Sequence, residues 1–417
     1  MKTSKKLLSI LLVVVFSFSC FFASFGATIV YAQTDVLQVH FLDVGQGDCS
    51  IIKLPDDKTI LVDAGDNINK YKQKIIDYID SNFPQLDYFD YAILTHTDAD
   101  HSGGMKEVLT NYPAKTVYRP NVISSYSGFT DPVIAITQNI SITDDNLKLW
   151  DYNGPNIDVK KVATAVYKNF VQQAYQPFVI NNSTYTPEVI VSDGRIKDRP
   201  DNKPSQDIIG EDYSIIFYSP LRYTYSDVND YSNIFILSFQ GFEFFFSGDA
   251  EAQAEADFVE EYADYDFDID VFKLGHHGSR TSSSQALLEL VTRQEKRENI
   301  KLVASCGLDN KYGHPHQDTL DRLNTLGFLE ENILRTDTMG DIVFEVKADS
   351  TGSYSLYYNG NKISDDFIQE LFNAIQEFFV TFYQESPQGV YLSIAVIIIL
   401  AIIVGILITK SNKKSKK

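Results

Sequence analysis

Cysteine is scarce in this sequence: 417 residues contain three. Cys20 lies in an apolar leader, and Ser17, Phe18 and Ser19 before it lack the aliphatic residue of a lipoprotein attachment site. Cys49 and Cys306 fall in apolar strand-like runs, so two separate buried thiols are expected and a disulfide framework is excluded. Basic charge is short as well, with 36 Lys and Arg against 56 Asp and Glu, a net charge of -20. Three of those lysines lie in residues 1–32 and five in residues 410–417, segments without an acid, so the remainder holds 28 bases against 56 acids, or -28. A field of that sign repels polyanions at long range. It argues against a protein that coats nucleic acid indiscriminately, though not against a polyanionic substrate met at a bound metal. No internal repeat occurs at solenoid periods. A content of 44% hydrophobic and 13% aromatic residues excludes a disordered or collagen-like chain.

Long uncharged runs occur at the two ends. Lys5 and Lys6 precede apolar residues 7–22, and Val30, Tyr31 and Ala32 form a small-residue cleavage site, so residues 1–32 read as a signal peptide cut after Ala32. Residues 390–409 carry no charge and reach about 30 Å as a helix, one hydrocarbon thickness. The five lysines of the tail at 410–417 place that end in the cytoplasm. No Leu-Pro-x-Thr-Gly sortase motif is present, so the span reads as a permanent anchor. The expectation is a single-pass cell-membrane protein, Gram-positive in type, whose body faces outward. Residues 362–389, with Phe367, Leu371, Phe378 and Phe382 on one face and Ser364 as a cap, read as an amphipathic stalk.

Between the ends, residues 33–361 read as one domain. Short β-branched and aromatic runs interleave with helical patterns in two series, which suggests a four-layer α/β arrangement. Residues 123–211 are less regular, with one helical pattern over 159–175 and a polar loop over 198–204. They read as a lid or a plain insertion.

Histidine numbers seven, yet six fall in three tight groups: His96 with His101, His276 with His277, and His314 with His316. The run from His96 to His101 follows a strand and delivers two imidazoles and two carboxylates, Asp98 and Asp100, into one loop. That mixture suits Zn²⁺, Mn²⁺ or Fe, with carboxylates able to bridge two ions. The bland alternative is a polar turn with a capping Asp. Asp249 ends another strand behind Ser247 and Gly248, and His276 and His277 end a third.

The ordered set Phe41-Leu-Asp-Val-Gly-Gln-Gly-Asp48, Ile60-Leu-Val-Asp-Ala-Gly65, Thr95-His-Thr-Asp-Ala-Asp-His-Ser-Gly-Gly104, Ser247-Gly-Asp249, Leu274-Gly-His-His-Gly-Ser279 and Tyr312-Gly-His-Pro-His316 resembles the metallo-β-lactamase superfamily. More closely, it resembles the β-lactamase-like domain of the ComEC family of DNA-internalisation competence proteins. The resemblance spans roughly residues 36–346 and implies a four-layer αββα sandwich with a metal centre at the strand ends between two sheets. It implies that His96 and Asp98 hold a first ion, that Asp100 and His101 hold a second, and that Asp249 bridges them. One of His276 and His277 completes the second site, His277 being favoured. The chain departs from the commonest pattern at Asp98, where a His usually stands. It also has no His between His101 and Asp249 for the usual third ligand of the first site, so an O-rich, Mn²⁺-tolerant site is expected there.

The same resemblance gives support roles to Asp43 and Asp48 near the metals, to Asp63 in ordering the ligand loop, and to Asn229, Ser232 and Asn233 as a polar motif before a strand. Lys273 and Arg280 either meet an anionic substrate or are surface charges. With two divalent ions, Zn or Mn, holding a hydroxide, the implied reaction is hydrolysis, with Asp100, Asp48 and His314 as catalytic candidates. The implied bond is a phosphodiester. The competence-protein domain is thought to act as a nuclease, but one helix forms no channel, and the net charge does not favour DNA over phosphate-bearing surface polymers or small diesters. A non-catalytic surface binding protein and a hydrolase of another ester or amide bond are the alternatives. Nothing in the sequence points to a protein partner.

Overall fold

Alternation of apolar residues along the strands builds two sheets that share one seam. The computed structural model describes residues 36–132, 160–192, 206–222, 225–308, 310–348, 353–358 and 361–362. The expected leader, the apolar span at 390–409, the basic tail and all but the first residue of the stalk lie outside them. Among the described residues no helix is long and apolar enough to cross a membrane.

The chain opens with β1 (Val36–Phe41), β2 (Ser50–Lys53), β3 (Thr59–Val62), α1 (Asn69–Asn82), β4 (Phe89–Ile93), α2 (Ala99–Ser102), α3 (Met105–Asn111) and β5 (Ala114–Arg119). It continues through β6 (Ile123–Ser124), β7 (Lys161–Val162), α4 (Ala165–Ala174), β8 (Phe178–Ile180), β9 (Ser183–Tyr185), β10 (Glu188–Val191) and β11 (Ile208–Ile209). Next come β12 (Tyr213–Phe217), β13 (Phe235–Phe239), β14 (Phe242–Phe246), α5 (Ala252–Glu261), β15 (Val271–Lys273), α6 (Gln285–Val291) and β16 (Lys301–Ala304). The last are α7 (Gln317–Leu326), β17 (Ile333–Arg335), α8 (Thr336–Met339), β18 (Ile342–Lys347), β19 (Tyr354–Tyr358) and β20 (Asn361–Lys362). The larger main sheet has nine strands in the order β10-β5-β4-β3-β2-β1-β18-β19-β20, the second has seven in the order β11 to β17, and β6 with β7 and β8 with β9 form two small two-stranded sheets.

Leu37, Val39 and Phe41 of β1 face the seam with Ile60 and Val62 of β3, and meet Phe235, Leu237, Phe244 and Phe246 from the second sheet. Stacked or edge-on rings cross it: Phe41 on Phe246 at 5.7 Å, Tyr118 on Phe217 at 4.9 Å, and Phe244 against Phe344 at 5.6 Å. Each such fully buried side chain contributes about 1.5 to 3 kcal/mol of burial. The alternate residues, Leu61 and Ala92 on one sheet and Ile236, Phe245 and Phe272 on the other, face outward. There they pack with Ile75, Ile79, Val108, Phe258, Leu287 and Leu288 of the helices, so each sheet has a helical layer outside it. Cys49 and Cys306 are free and buried, as their apolar surroundings led one to expect.

Strand direction decides where the loops emerge. Strands β3, β4 and β5 are mutually parallel, as are β14 to β17, while β1 is antiparallel to β2 and β2 to β3. The loops leaving β1, β3 and β4 therefore lie at one end of their sheet, where strand carboxyl ends form the usual ligand edge of a parallel array.

The described parts of 123–211 are more regular than the sequence suggests. β10 pairs in parallel with β5 and extends the first sheet, while β11 pairs with β12 in the second. α4 buries Tyr167, Phe170, Val171 and Ala174. A buried, bidentate Arg119–Asp131 pair, at 3.0 and 2.7 Å, fixes this segment, and Arg119 also donates to Val122 O and Tyr167 Oη.

Candidate metal centre

Strand ends deliver the candidate ligands, and loop-to-loop hydrogen bonds set their spacing. Asp48 N donates to Asp100 O at 3.0 Å, Gly65 N to Asp48 O at 2.8 Å, and Ala64 N to His101 O at 2.8 Å. Gly47 has φ +151°, and a Cβ there would stand 2.4 Å from Asp100 O, so the loop after β1 can approach the His96–His101 loop only with glycine at that point. Asn233, ahead of β13, donates through Nδ2 to Leu94 O, and through its amide to Thr95 O, each at 3.0 Å. Ser232 Oγ accepts from Asp249 N at 3.2 Å. The polar motif thus ties the two sheets together at the ligand edge.

Asp249 is the hub. The Nε2 atoms of four histidines approach its carboxylate: His96 at 3.6 Å, His101 at 3.2 Å, His276 at 3.5 Å and His277 at 3.7 Å. His96 Nε2 is buried with no hydrogen-bond partner among the described residues, and His101 Nε2 and Asp249 Oδ1, also buried, have only each other, at 3.2 Å. Orphaned donors and acceptors of this kind are costly to bury, at about 1 to 3 kcal/mol each, unless something else satisfies them. A divalent cation does so with the donor types present, imidazole nitrogen and carboxylate oxygen. Asp48, His101, Asp249 and His277 offer ligand atoms within 4.8 Å of one another, as do His96, Asp100 and His101.

The other ring nitrogens are occupied in a way that sets each ring's orientation. His101 Nδ1–H donates to Asp63 Oδ2 at 2.7 Å, and Thr95 holds Asp63 with its amide (2.8 Å) and hydroxyl (2.6 Å). His277 Nδ1–H faces two acceptors, Ser305 O at 2.9 Å and Asp48 Oδ1 at 3.1 Å. His276 Nδ1–H donates to Glu251 Oε1 at 3.1 Å. Carboxylates on Nδ1 turn each Nε2 toward the hub, as in metal sites where an outer carboxylate orients the imidazole. His276 and His277 hold left-handed backbone, φ 50° and 56°. Such geometry costs about 1 to 3 kcal/mol per non-glycine residue and points to a functional constraint.

The field of the carboxylates is written into the protonation. Burial alone would lower His101, but Asp249 and Asp63 outweigh it and hold it well above the usual histidine range. Likewise burial disfavours a charged His277, yet Asp249 and Asp48 push it up to about 10. Burial would raise Asp100, but its His277 hydrogen bond and the neighbouring imidazoles bring it down to about 2, leaving it ionised at neutral pH. His96 is lowered to about 4, first by burial and then by His101.

Placed individually, the sequence candidates divide. Asp98 and Asp100 line an open cavity of ≈ 490 Å³ together with Asp249, His276, His277 and His314. Asp98 is exposed, stands just before α2 and makes no side-chain capping hydrogen bond, so the bland capping role is not the one it takes. Asp48 is not in that wall. Its Oδ2 receives Lys273 Nζ at 2.8 Å and its Oδ1 faces His277, so it positions an imidazole. Lys273 is therefore neither surface charge nor substrate contact: its side chain is 3% exposed and serves as counter-ion to Asp48. Arg280 is a surface charge, 3.6 Å from Asp318. Asp43 faces Lys74 and its own loop, away from the hub.

His314 is lowered to about 4 by burial and then by the His277, His276 and His316 charges. Gln46 accepts Gly307 N–H on Oε1 at 3.2 Å, so its Nε2 donates to His314 Nδ1 at 3.2 Å. The proton of neutral His314 accordingly sits on Nε2. Glu251 and Gln46, and Lys311 and Tyr312 on the cavity wall, are site residues that sequence reasoning missed.

A family model described as the metallo-beta-lactamase superfamily matches residues 42–297. The chain belongs to that superfamily. Among curated relatives, ComE operon protein 3 of Bacillus subtilis is 22% identical over 77% of this chain and 34% of its own length. Recombination protein 2 of Haemophilus influenzae is 25% identical over 71% of this chain and 27% of its own. The chain thus spans about a third or less of the length of these relatives. A metallo-beta-lactamase of Cronobacter sakazakii is similar in structure at 12% identity, covering 69% of this chain and 88% of its own, with a TM-score of 0.31.

One buried acid braces the second ligand loop. Glu255 of α5 accepts the amides of Ser283 (2.6 Å) and Ser284 (2.7 Å), and burial, opposed by those bonds and by Arg322, raises it from 4.5 to about 7. The folded state then binds a proton that the unfolded chain releases, so this stability is full below pH 4.5 and is lost as pH rises through about 7. Denaturant titrations across that window should show the wild type losing stability relative to Glu255→Gln as pH rises. Parallel profiles would contradict the assignment.

Proposed function

We propose that this chain is a metal-dependent phosphodiesterase held on the outer face of the cell membrane by its apolar span at 390–409, after removal of residues 1–32. The observation that carries the enzymatic reading is the convergence of four Nε2 atoms on Asp249 beside an open cavity. Asp100, His101, Asp249 and His277 would hold one ion, and His96, Asp98 and Asp249 would contribute to another, Zn²⁺ or Mn²⁺. Bound there, such ions supply a water nucleophile ionised near neutral pH and a Lewis acid for a phosphoryl oxygen.

The chain's own groups do the rest. Asp100, ionised at neutral pH and lining the cavity, accepts a hydrogen bond from the attacking water and orients it. Neutral His314 donates from Nε2 to the leaving oxygen. With a pKa near 4 it is a donor and not a general acid at pH 7. Lys311 and Tyr312 on the cavity wall supply a cation and a hydroxyl for a phosphate-bearing substrate. The diester reading is supported by the similarity to competence proteins and by a donor set that mixes imidazole with carboxylate, which suits two divalent ions. DNA, phosphate-bearing surface polymers and small diesters share that chemistry, and the -28 of residues 33–409 weighs against long-range attraction of DNA.

Asp100→Asn should reduce turnover of bis(4-nitrophenyl) phosphate by more than about a thousandfold, or about 4 kcal/mol. His314→Ala, losing one hydrogen bond to developing charge, should cost about 1.5 to 3 kcal/mol. Both are measured at saturating Mn²⁺ or Zn²⁺ on variants with wild-type melting, and wild-type turnover by Asp100→Asn would contradict the reading.

The anchoring has its own test. A protease added outside intact cells should remove the body of the protein and leave the lysine-rich tail protected. Survival of the body would show the opposite orientation.

A further inference from the structure

The first ion's site is short of donors if His96 and Asp98 are its own ligands, because no histidine lies between His101 and Asp249. We infer that His276 supplies the missing imidazole from the opposite sheet and that Glu251 positions it, so that the adjacent pair His276 and His277 is divided, one to each ion. This rests on the metal-centre reading above and deepens it.

Three observations carry the assignment. His96 Nε2 and His276 Nε2 stand at 3.6 and 3.5 Å from the same oxygen, Asp249 Oδ2. His277 Nε2 also comes within 3.7 Å of that oxygen but makes its nearest carboxylate approach to Asp100 Oδ2, at 3.2 Å, and so belongs with the second ion's acid.

The second observation is the backbone. Left-handed φ at both residues turns the two rings apart, with planes at 71° and centroids 5.9 Å from each other. His276 N–H is pinned to Gly248 O at 3.0 Å, one residue before the hub. An extended strand end would send neighbouring side chains to opposite faces, whereas this turn lets both reach Asp249.

The third is the partner on Nδ1. Glu251 Oε1 accepts from His276 and also from Thr281 Oγ1 at 2.9 Å and Asn229 Nδ2 at 3.4 Å, so it is itself fixed. The arrangement repeats that of His101 with Asp63 and of His277 with Asp48. A histidine serving only as a substrate contact has no need of an Nε2 directed at a buried carboxylate.

The test is metal stoichiometry and affinity of the purified full-length chain, by elemental analysis and chelator competition with Zn²⁺ and Mn²⁺. The wild type should hold two ions. His276→Asn, chosen because Asn accepts left-handed backbone, should hold one, and His277→Asn one. The double variant should hold none. Within the His277→Asn background, Glu251→Ala should weaken the surviving ion about 10- to 100-fold. Comparable melting of the metal-stripped proteins shows that the variants fold, and Glu251→Ala tests the assignment if His276→Asn does not. Two ions at wild-type affinity in His276→Asn, or an unchanged ion in the Glu251→Ala background, would overturn the assignment. A wild type that holds no ion would overturn the underlying metal-centre reading instead.

Discussion

Everything at the ligand edge answers to one buried carboxylate. Asp249 is 2% exposed, and the cost of taking an ionised acid out of water is several kcal/mol unless positive charge or donors compensate. Here His101 lies 3.2 Å away and three more imidazoles approach within 3.7 Å, which holds Asp249 well below the usual carboxylate range against its burial. The need to gather compensating groups around that point explains why the loops after β1, β3, β4, β14 and β15 converge there.

Convergence has structural requirements that reach back through the fold. Parallel strands put the loops after β3, β4, β14 and β15 at their carboxyl ends, and the aromatic seam locks the two sheets face to face. Gly47 allows one loop to touch another, and Asp63, Asp48 and Glu251 each grip an Nδ1 so that Nε2 faces inward. Lys273 matters because it neutralises Asp48, which otherwise would add another unpaired acid to a crowded interior.

Much of this was legible in the chain. His96, Asp98, Asp100, His101, Asp249, His276 and His277 stood out because strand ends followed by polar, metal-compatible residues are rare by chance; the structure gathers His96, Asp100, His101, Asp249 and His277 into two overlapping ligand groups and sets Asp98 and His276 on the adjoining cavity wall. The outer groups were harder to read, since their partners lie far along the sequence: the carboxylate of Asp48 with Lys273, and the amide of Gln46 with His314. A signal was present for Lys273, the lone charge in the apolar run of β15, which is the mark of a buried ion pair rather than a surface group. Glu251 lies two residues beyond Asp249, but only the turn at His276 reveals what it holds. β10 escaped notice because it follows a polar, irregular stretch and its pairing with β5 is non-local.

The central claim is that Asp249 joins two ions in one centre. The direct measurement is the metal content and affinity of Asp249→Ala beside the wild type, after reconstitution with Zn²⁺ or Mn²⁺ and removal of excess. Loss of tight binding for both ions is the result expected of a shared ligand. Retention of either ion at wild-type affinity would show that Asp249 serves at most one of them and would contradict the claim.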